Sequence, residues 1–156
     1  MASELRVELF LQSATLLEKL NQVDLAEDLY RAYGNTSSRP EAVLTYAQYL
    51  ARHDRHKEGL NLCEQHWEKI PAPVVIRAAI GLLRHGNLGE ADVLPIAPRL
   101  NDALAASDNE SEKTELLMLQ ADLQDYQRRY DNFQSLYRQV LKRDPDHIIA
   151  LNNLAW

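Results

Sequence analysis

The chain is poor in several things, and each shortage removes a class of protein. Its 156 residues include a single cysteine, Cys63, which excludes an internal disulfide framework and any multi-cysteine metal site. No run approaches the roughly eighteen uncharged apolar residues of a membrane span. The opening stretch to Leu20 carries Glu4, Arg6, Glu8, Glu18 and Lys19 among its apolar residues and does not read as a signal peptide. Positive charge is in deficit, 17 Lys and Arg against 23 Asp and Glu for a net charge of −6, so nucleic acid and anionic lipid surfaces, which need clustered cations, are not expected partners. Glycine is scarce, and 46% hydrophobic with 26% charged residues suits a well-packed helical protein rather than a disordered one. Catalytic signatures are missing too: no serine or cysteine nucleophile beside a base, no phosphate-cradling glycine loop, no HExxH pair. The expectation is a soluble, non-enzymatic segment without a cofactor, its compartment open with a lean to the cytoplasm.

What is present is periodic. Ala14, Ala47, Ala79 and Ala121 are each followed twelve positions later by a second marker, Ala26, Gly59, Ala91 and Phe133, and Ala155 opens a fifth set. The steps between sets are 33, 32, 42 and 34 residues, close to the period at which antiparallel helix pairs stack into a superhelix. The fold expected is all-α, a right-handed solenoid of helical hairpins, with units at about 5–38, 40–71, 73–106, 109–145 and an incomplete 148–156. Since the last unit lacks its second helix, the chain reads as a piece of a longer array.

Punctuation residues place the helices. The first runs from about Ser3 to Leu20, and the second from Asp24 to Tyr33, where Gly34 stops it. Ser38 caps a helix from Pro40 to Arg52, and His56 to Lys69 follows. The first helix of the third unit reaches His85. Its partner, Gly89 to Ala106, carries Pro95 and Pro98 and is expected to be kinked or interrupted. Ser107 and Glu110 suggest a capping box for a helix to Arg128, and Asp131 to Arg143 completes the fourth pair.

Several positions carry a family pattern. The fourth unit supplies Leu117, Gln120-Ala121, Gln124, Phe133, Tyr137 and Pro145, and the second supplies Val43, Tyr46-Ala47, Leu50, Gly59, Cys63 and Pro71. The first gives Phe10, Ser13-Ala14, Leu17, Ala26 and Tyr30; the third gives Val75, Ala78-Ala79, Leu82 and Ala91 but has Pro95 in an aromatic slot. With Ala150 to Ala155 added, the chain resembles a tetratricopeptide-repeat array over nearly its whole length. The resemblance implies a concave face, built from the first helix of each unit, that binds an extended peptide or a partner helix. Carried over residue by residue, that face comprises Leu11, Thr15, Glu18 and Lys19, then Leu44, Gln48, Ala51 and Arg52. It continues with Ile76, Arg77, Ile80, Leu83 and Arg84, and with Met118, Asp122, Asp125 and Tyr126. The family's carboxylate clamp is not reproduced, because Leu11, Thr15 and Thr45 stand where Lys or Asn is needed.

Within that face the third helix is apolar nearly all round, and such a helix is buried on both sides. Either the Pro95 to Ala106 segment covers Ile76, Ile80 and Leu83, or a partner or second copy does. Arg52, Arg77 and Arg84 form a strip suited to a carboxylate, or are ordinary solvated arginines. His53, Asp54 and His56 have a spacing that zinc would accept and that a polar turn explains equally. Cys63, at a packing position, reads as a buried inert thiol, and Glu115, Asp122 and Asp125 as charge on a solvated face. The function expected is a protein–protein interaction scaffold with Leu44, Gln48, Arg52, Ile76, Arg77, Ile80, Leu83, Arg84, Met118, Asp122 and Tyr126 along its groove. The alternative is a structural or oligomerising segment of a larger enzyme or membrane-associated protein.

Overall fold

The computed structural model describes residues 2–129 and 132–155, side chains excepted at 2–6 and 133. Every regular element among the described residues is helical. They fall into two compact units that meet in sequence at Gly86 and Asn87. The first contains α1 (Ala2–Lys19), α2 (Val23–Thr36), a 3-10 turn (Pro40–Ala42) leading into α3 (Val43–Arg52), α4 (His56–Gln65) and α5 (Ala72–Gly86). The second contains α6 (Glu90–Val93), α7 (Ile96–Ala106), α8 (Glu110–Tyr126), α9 (Phe133–Arg143) and α10 (Ile148–Leu154). Within each unit a helix packs on its neighbour in the chain, and in the first α3 also touches α5.

Three hairpins share one turn. α1, α3 and α8 end in a left-handed residue, Asn21 (φ 57°), Asp54 (φ 59°) and Arg128 (φ 55°). In each case the following amide reaches back five residues: Gln22 to the Leu17 carbonyl at 2.9 Å, Arg55 to Leu50 at 2.9 Å, Arg129 to Gln124 at 3.0 Å. This arrangement satisfies carbonyls that the end of a helix leaves without partners. Asn and Asp tolerate the left-handed region because their short side chains bond locally, whereas Arg128 enters it at a cost of roughly 1 kcal/mol. Asn87, at φ 44°, holds the corresponding place after α5.

The small residues sit where helices cross. Ala14, Ala26, Ala47, Ala79 and Ala121 are at most 1% exposed. A Cβ on Gly59 would stand 3.0 Å from the Ala47 carbonyl and 3.1 Å from Leu82, so the Ala47–Gly59 pair marks a close backbone approach. Around Ala14 and Ala26 the first unit's core closes on Tyr30, Tyr46, Tyr49 and Leu50. The Tyr49 ring lies 4.7 Å from Tyr30 and 6.3 Å from Tyr46, and its hydroxyl donates to the Val23 carbonyl at 2.8 Å. The second unit's core gathers Leu117, Ala121, Leu136, Tyr137, Val140 and Ala150.

The sequence-based expectations need correcting at several points. Ala91 is exposed, not a packing residue. α6 lasts only four residues, and Val93, Ile96 and Leu100 turn inward instead. The break itself follows from proline: Pro95 stands at the N-cap of α7 and Pro98 in its first turn, where a missing N–H leaves nothing unbonded. The cap of α8 is Asn109, whose side chain accepts from the amides of Ser111 and Glu112, while Ser107 donates its hydroxyl to Glu112 at 2.6 Å. Gly34 does not stop α2, which continues to Thr36; a Cβ there would come 3.1 Å from the Val43 Cα, so close packing is its role. Ser38 caps nothing, the N-cap of the 3-10 turn being Arg39, and α4 ends four residues early at Gln65. In α10 the buried small residue is Ala150, and Ala155 is the exposed C-cap. The side chain of the marker Phe133 and the whole of Trp156 lie outside what is described.

Candidate functional site: a groove in the first unit

Between α3 and α5 lies an open groove of about 730 Å3. Its floor is made of small side chains, Ala47 and Ala51 from α3 and Ala78 and Gly81 from α5, flanked by Leu44, Val74 and Leu82. Polar groups stand around it: Gln48 and Arg52 at the end of α3, Asp54 and His56 across the turn, Arg77 and His85 on α5. Residues at i, i+3 and i+4 share a helix face, which is why Ala47, Ala51, Ala78 and Leu82 open on the same space. A second hollow of about 570 Å3 borders Leu11, Thr15, Glu18 and Lys19 of α1 together with Tyr30, Thr45 and Arg52. Arg52 belongs to both.

Arg52 is fixed from the other side. Its Nε and Nη2 donate to the two oxygens of Glu18 at 2.9 and 2.8 Å, while Tyr30 donates its hydroxyl to the same carboxylate at 2.8 Å. The Arg52 guanidinium lies 5.6 Å from the Tyr30 ring centre and 5.9 Å from that of Tyr49, in cation–π range. The bidentate Arg52 bond is the main reason that the Glu18 carboxyl is lowered to about 2. Glu27, on α2, has a matching cluster. Tyr46 donates to it at 2.8 Å, as does Arg31 at 2.8 Å, and the Arg55 guanidinium, its largest influence, holds it at about 2. Burial raises the hydroxyl pKa of Tyr30 and Tyr46. The first cluster ties α1 and α2 to α3, and the second ties α2 to α3 and to the turn after it.

The sequence-derived groove residues divide sharply. Leu44, Gln48, Arg52 and Arg77 come together around the larger groove, and Leu11, Thr15, Glu18 and Lys19 around the smaller hollow. Ile76, Ile80 and Leu83 do not line the groove: they are 0%, 4% and 0% exposed, and α5 turns Val74, Ala78 and Gly81 toward it instead. Arg84 is exposed but stands outside its lining. Met118, Asp122 and Tyr126 belong to the second unit. There Met118 packs against the core and Tyr126 donates its hydroxyl to the Leu88 carbonyl, beside a separate cleft of about 400 Å3.

The groove residues that sequence reasoning missed are Ala47, Asp54, His56, Val74, Ala78, Gly81, Leu82 and His85. Gly81 carried the usable signal, a glycine in the middle of a helix with no turn to make. The histidine turn is dispersed. The His53 ring lies tilted against Tyr49, 4.5 Å between centres, with its Nε2 3.3 Å from Glu18, whereas His56 faces the groove. Among the described residues no three His, Cys, Asp or Glu side chains come together as metal ligands. Cys63 is fully buried, and burial pushes its thiol up to about 12, far from the thiolate that a nucleophile requires. No helix of the described residues is long and apolar enough to cross a membrane.

Comparison with family models, with curated proteins and with solved structures gave no match.

Proposed function

We propose that this chain is a non-catalytic docking module of tetratricopeptide type, a right-handed stack of helical hairpins whose first helices offer a groove to a peptide or partner helix of another protein. The observation that carries the reading is the groove between α3 and α5, floored by Ala47, Ala51, Ala78 and Gly81 and edged by Arg52 and Arg77. Small floor residues let a partner backbone come close, which is what a helix or strand needs in order to seat along its length. The hairpin turn repeated at Asn21, Asp54 and Arg128 supports the repeat architecture, since the same backbone solution recurs at the same place in each pair.

Selection of displayed random peptides on the immobilised chain tests this. Peptides enriched by the native chain should be lost by Ala51→Arg, which fills the groove from α3 while leaving helicity unchanged. Failure to enrich any sequence, or retention of the enriched peptides by Ala51→Arg, would overturn it. The second reading, an oligomerising structural segment, is favoured by one observation: α10 exposes Ile148, Ile149 and Leu151.

A further inference from the structure

We infer that the second unit carries a docking site of its own, a cleft between α7 and α8 in which the side-chain amides of Gln120, Gln124 and Gln127 pair with the main chain of an extended, uncharged peptide. It lies outside the groove between α3 and α5 and takes a different kind of contact.

The starting point is a residue that breaks the repeat. Leu17, Leu50 and Leu82 hold the same place in the first three helix pairs, and in the fourth that place falls to Gln124. Leu50 and Leu82 are 1% and 4% exposed, so the position is one that packing fills with a branched apolar side chain. Gln124 occupies it with its Oε1 shielded from solvent and without a hydrogen-bond partner. A buried acceptor that lacks a donor is destabilising, and leucine would avoid the penalty. Hairpin packing therefore does not account for the glutamine.

Around it the cleft is built for hydrogen bonds. Its volume is about 220 Å3, and α8 with its C-cap lines it with Gln120, Gln124 and Gln127 at i, i+4 and i+7, while α7 contributes Asn101. Residues so spaced share one helix face. Gln120 donates to the Asn101 Oδ1 at 3.0 Å, which orients both side chains and leaves the Gln120 oxygen and the Asn101 amide group for a ligand. Rotation about the last torsion of Gln124, which is broad and roughly two-fold, brings its carboxamide into the same space.

The spacing selects the ligand. Four residues of helix advance about 6 Å, and two residues of extended strand advance about 6.6 Å, so Gln120 and Gln124 meet successive peptide groups along one edge of a strand. A carboxamide offers both donors and an acceptor, the complement of the N–H and C=O at that edge. Charge plays no part, because Glu90 and Arg129, the charged residues of the lining, pair with each other at 3.3 Å. Apolar surface for the peptide's side chains is supplied by Ala97 and by Leu94, which is 65% exposed. Val93 and Gln127 also border the hollow of about 400 Å3 beside Tyr126, so the two spaces adjoin.

Nuclear magnetic resonance, which locates binding residue by residue, tests this. Uncharged pentapeptides, acetylated and amidated at their ends, are added in pools to the isotope-labelled chain and followed in nitrogen–proton correlation spectra. Some should shift the Gln124 side-chain amide signals together with backbone amides of α7 and α8, saturating below about 5 mM. Methylation of a central backbone nitrogen in such a peptide should weaken it about tenfold, the worth of one hydrogen bond. Gln124→Leu should abolish these shifts while raising the urea midpoint of unfolding, since it restores the residue of the other three pairs. Gln124→Met, closer in shape, takes its place if the leucine variant loses helicity. No saturable shift at α7 and α8, binding indifferent to methylation at every backbone nitrogen, or a lowered midpoint in both variants overturns the inference.

Discussion

The two units handle charge differently, and the difference lies in how far each carboxylate is shielded from water. In the first, Glu18 and Glu27 lie between helices with side chains only 18% and 13% exposed, each held by an arginine and a tyrosine hydroxyl. In the second, Glu110 and Glu90 pair with Lys113, Arg143 and Arg129 at 3.1 to 3.3 Å, but the carboxylates are 67% and 75% exposed. Exposed pairs contribute about 0–1 kcal/mol because water competes for both partners; shielded, multiply bonded carboxylates contribute more. The first unit is built around fixed charge and stacked tyrosines, the second around an aliphatic core and an interrupted helix.

Four perturbations probe this contrast. The largest effect should come from Tyr49→Ala, which removes a fully buried ring and its bond to the Val23 carbonyl and should cost the first unit about 3–5 kcal/mol. Amide exchange should accelerate over residues 2–86 and much less over 87–155; equal acceleration in both would erase the distinction.

Next is acid. Glu18 and Glu27 sit at about 2 against an ordinary 4.5. A carboxylate depressed on folding stabilises fully above its unfolded value and loses that contribution as the pH falls through its folded one. Together the pair should withdraw about 2–4 kcal/mol between roughly pH 4.5 and 2, after allowance for partial solvent contact. Exchange measured through that window should open the first unit first, and Glu18→Gln should flatten its pH dependence.

Gly59→Ala comes third. The new methyl has only 3.0 Å to the Ala47 carbonyl, so urea unfolding should show a loss of about 1–2 kcal/mol. The smallest effect has the opposite sign: Arg128→Asn relieves a left-handed arginine and should raise the second unit's stability by about 0.5–1 kcal/mol in the same titration.

The helical pairs were legible because small residues are required where backbones cross, and Ala14, Ala26, Ala47, Gly59, Ala79 and Ala121 meet that requirement one after another along the chain. A second periodic mark is equally plain in the letters. Asn21, Asp54 and Asn87 recur every 33 residues as left-handed helix ends, and Asn and Asp are the residues that tolerate that backbone best after glycine.

What misled was local pattern without neighbours. Ala91 matched by identity, but Pro95 shortens its helix and passes the inward position to Val93. In α5, Ile76, Ile80 and Leu83 fitted cover from within the chain as well as a partner, and were placed along the groove that they do not line. A helix that is apolar on every side does not reveal which side is covered, and Ala78 with Gly81 was the better indication of an open one. Ser107 and Asn109 are both good caps, and what decides between them is that the Asn109 side chain accepts from the amides of Ser111 and Glu112.

Cys63 turns out to have a use that comes from its inertness. As the chain's one cysteine, fully buried on α4 with its thiol pushed up to about 12, it reacts with a disulfide or maleimide reagent only when the first unit opens. Its labelling rate is therefore a clock for that opening, readable without any added dye. Anything that seats in the groove between α3 and α5 should slow the clock, so a ligand can be detected before its identity is known.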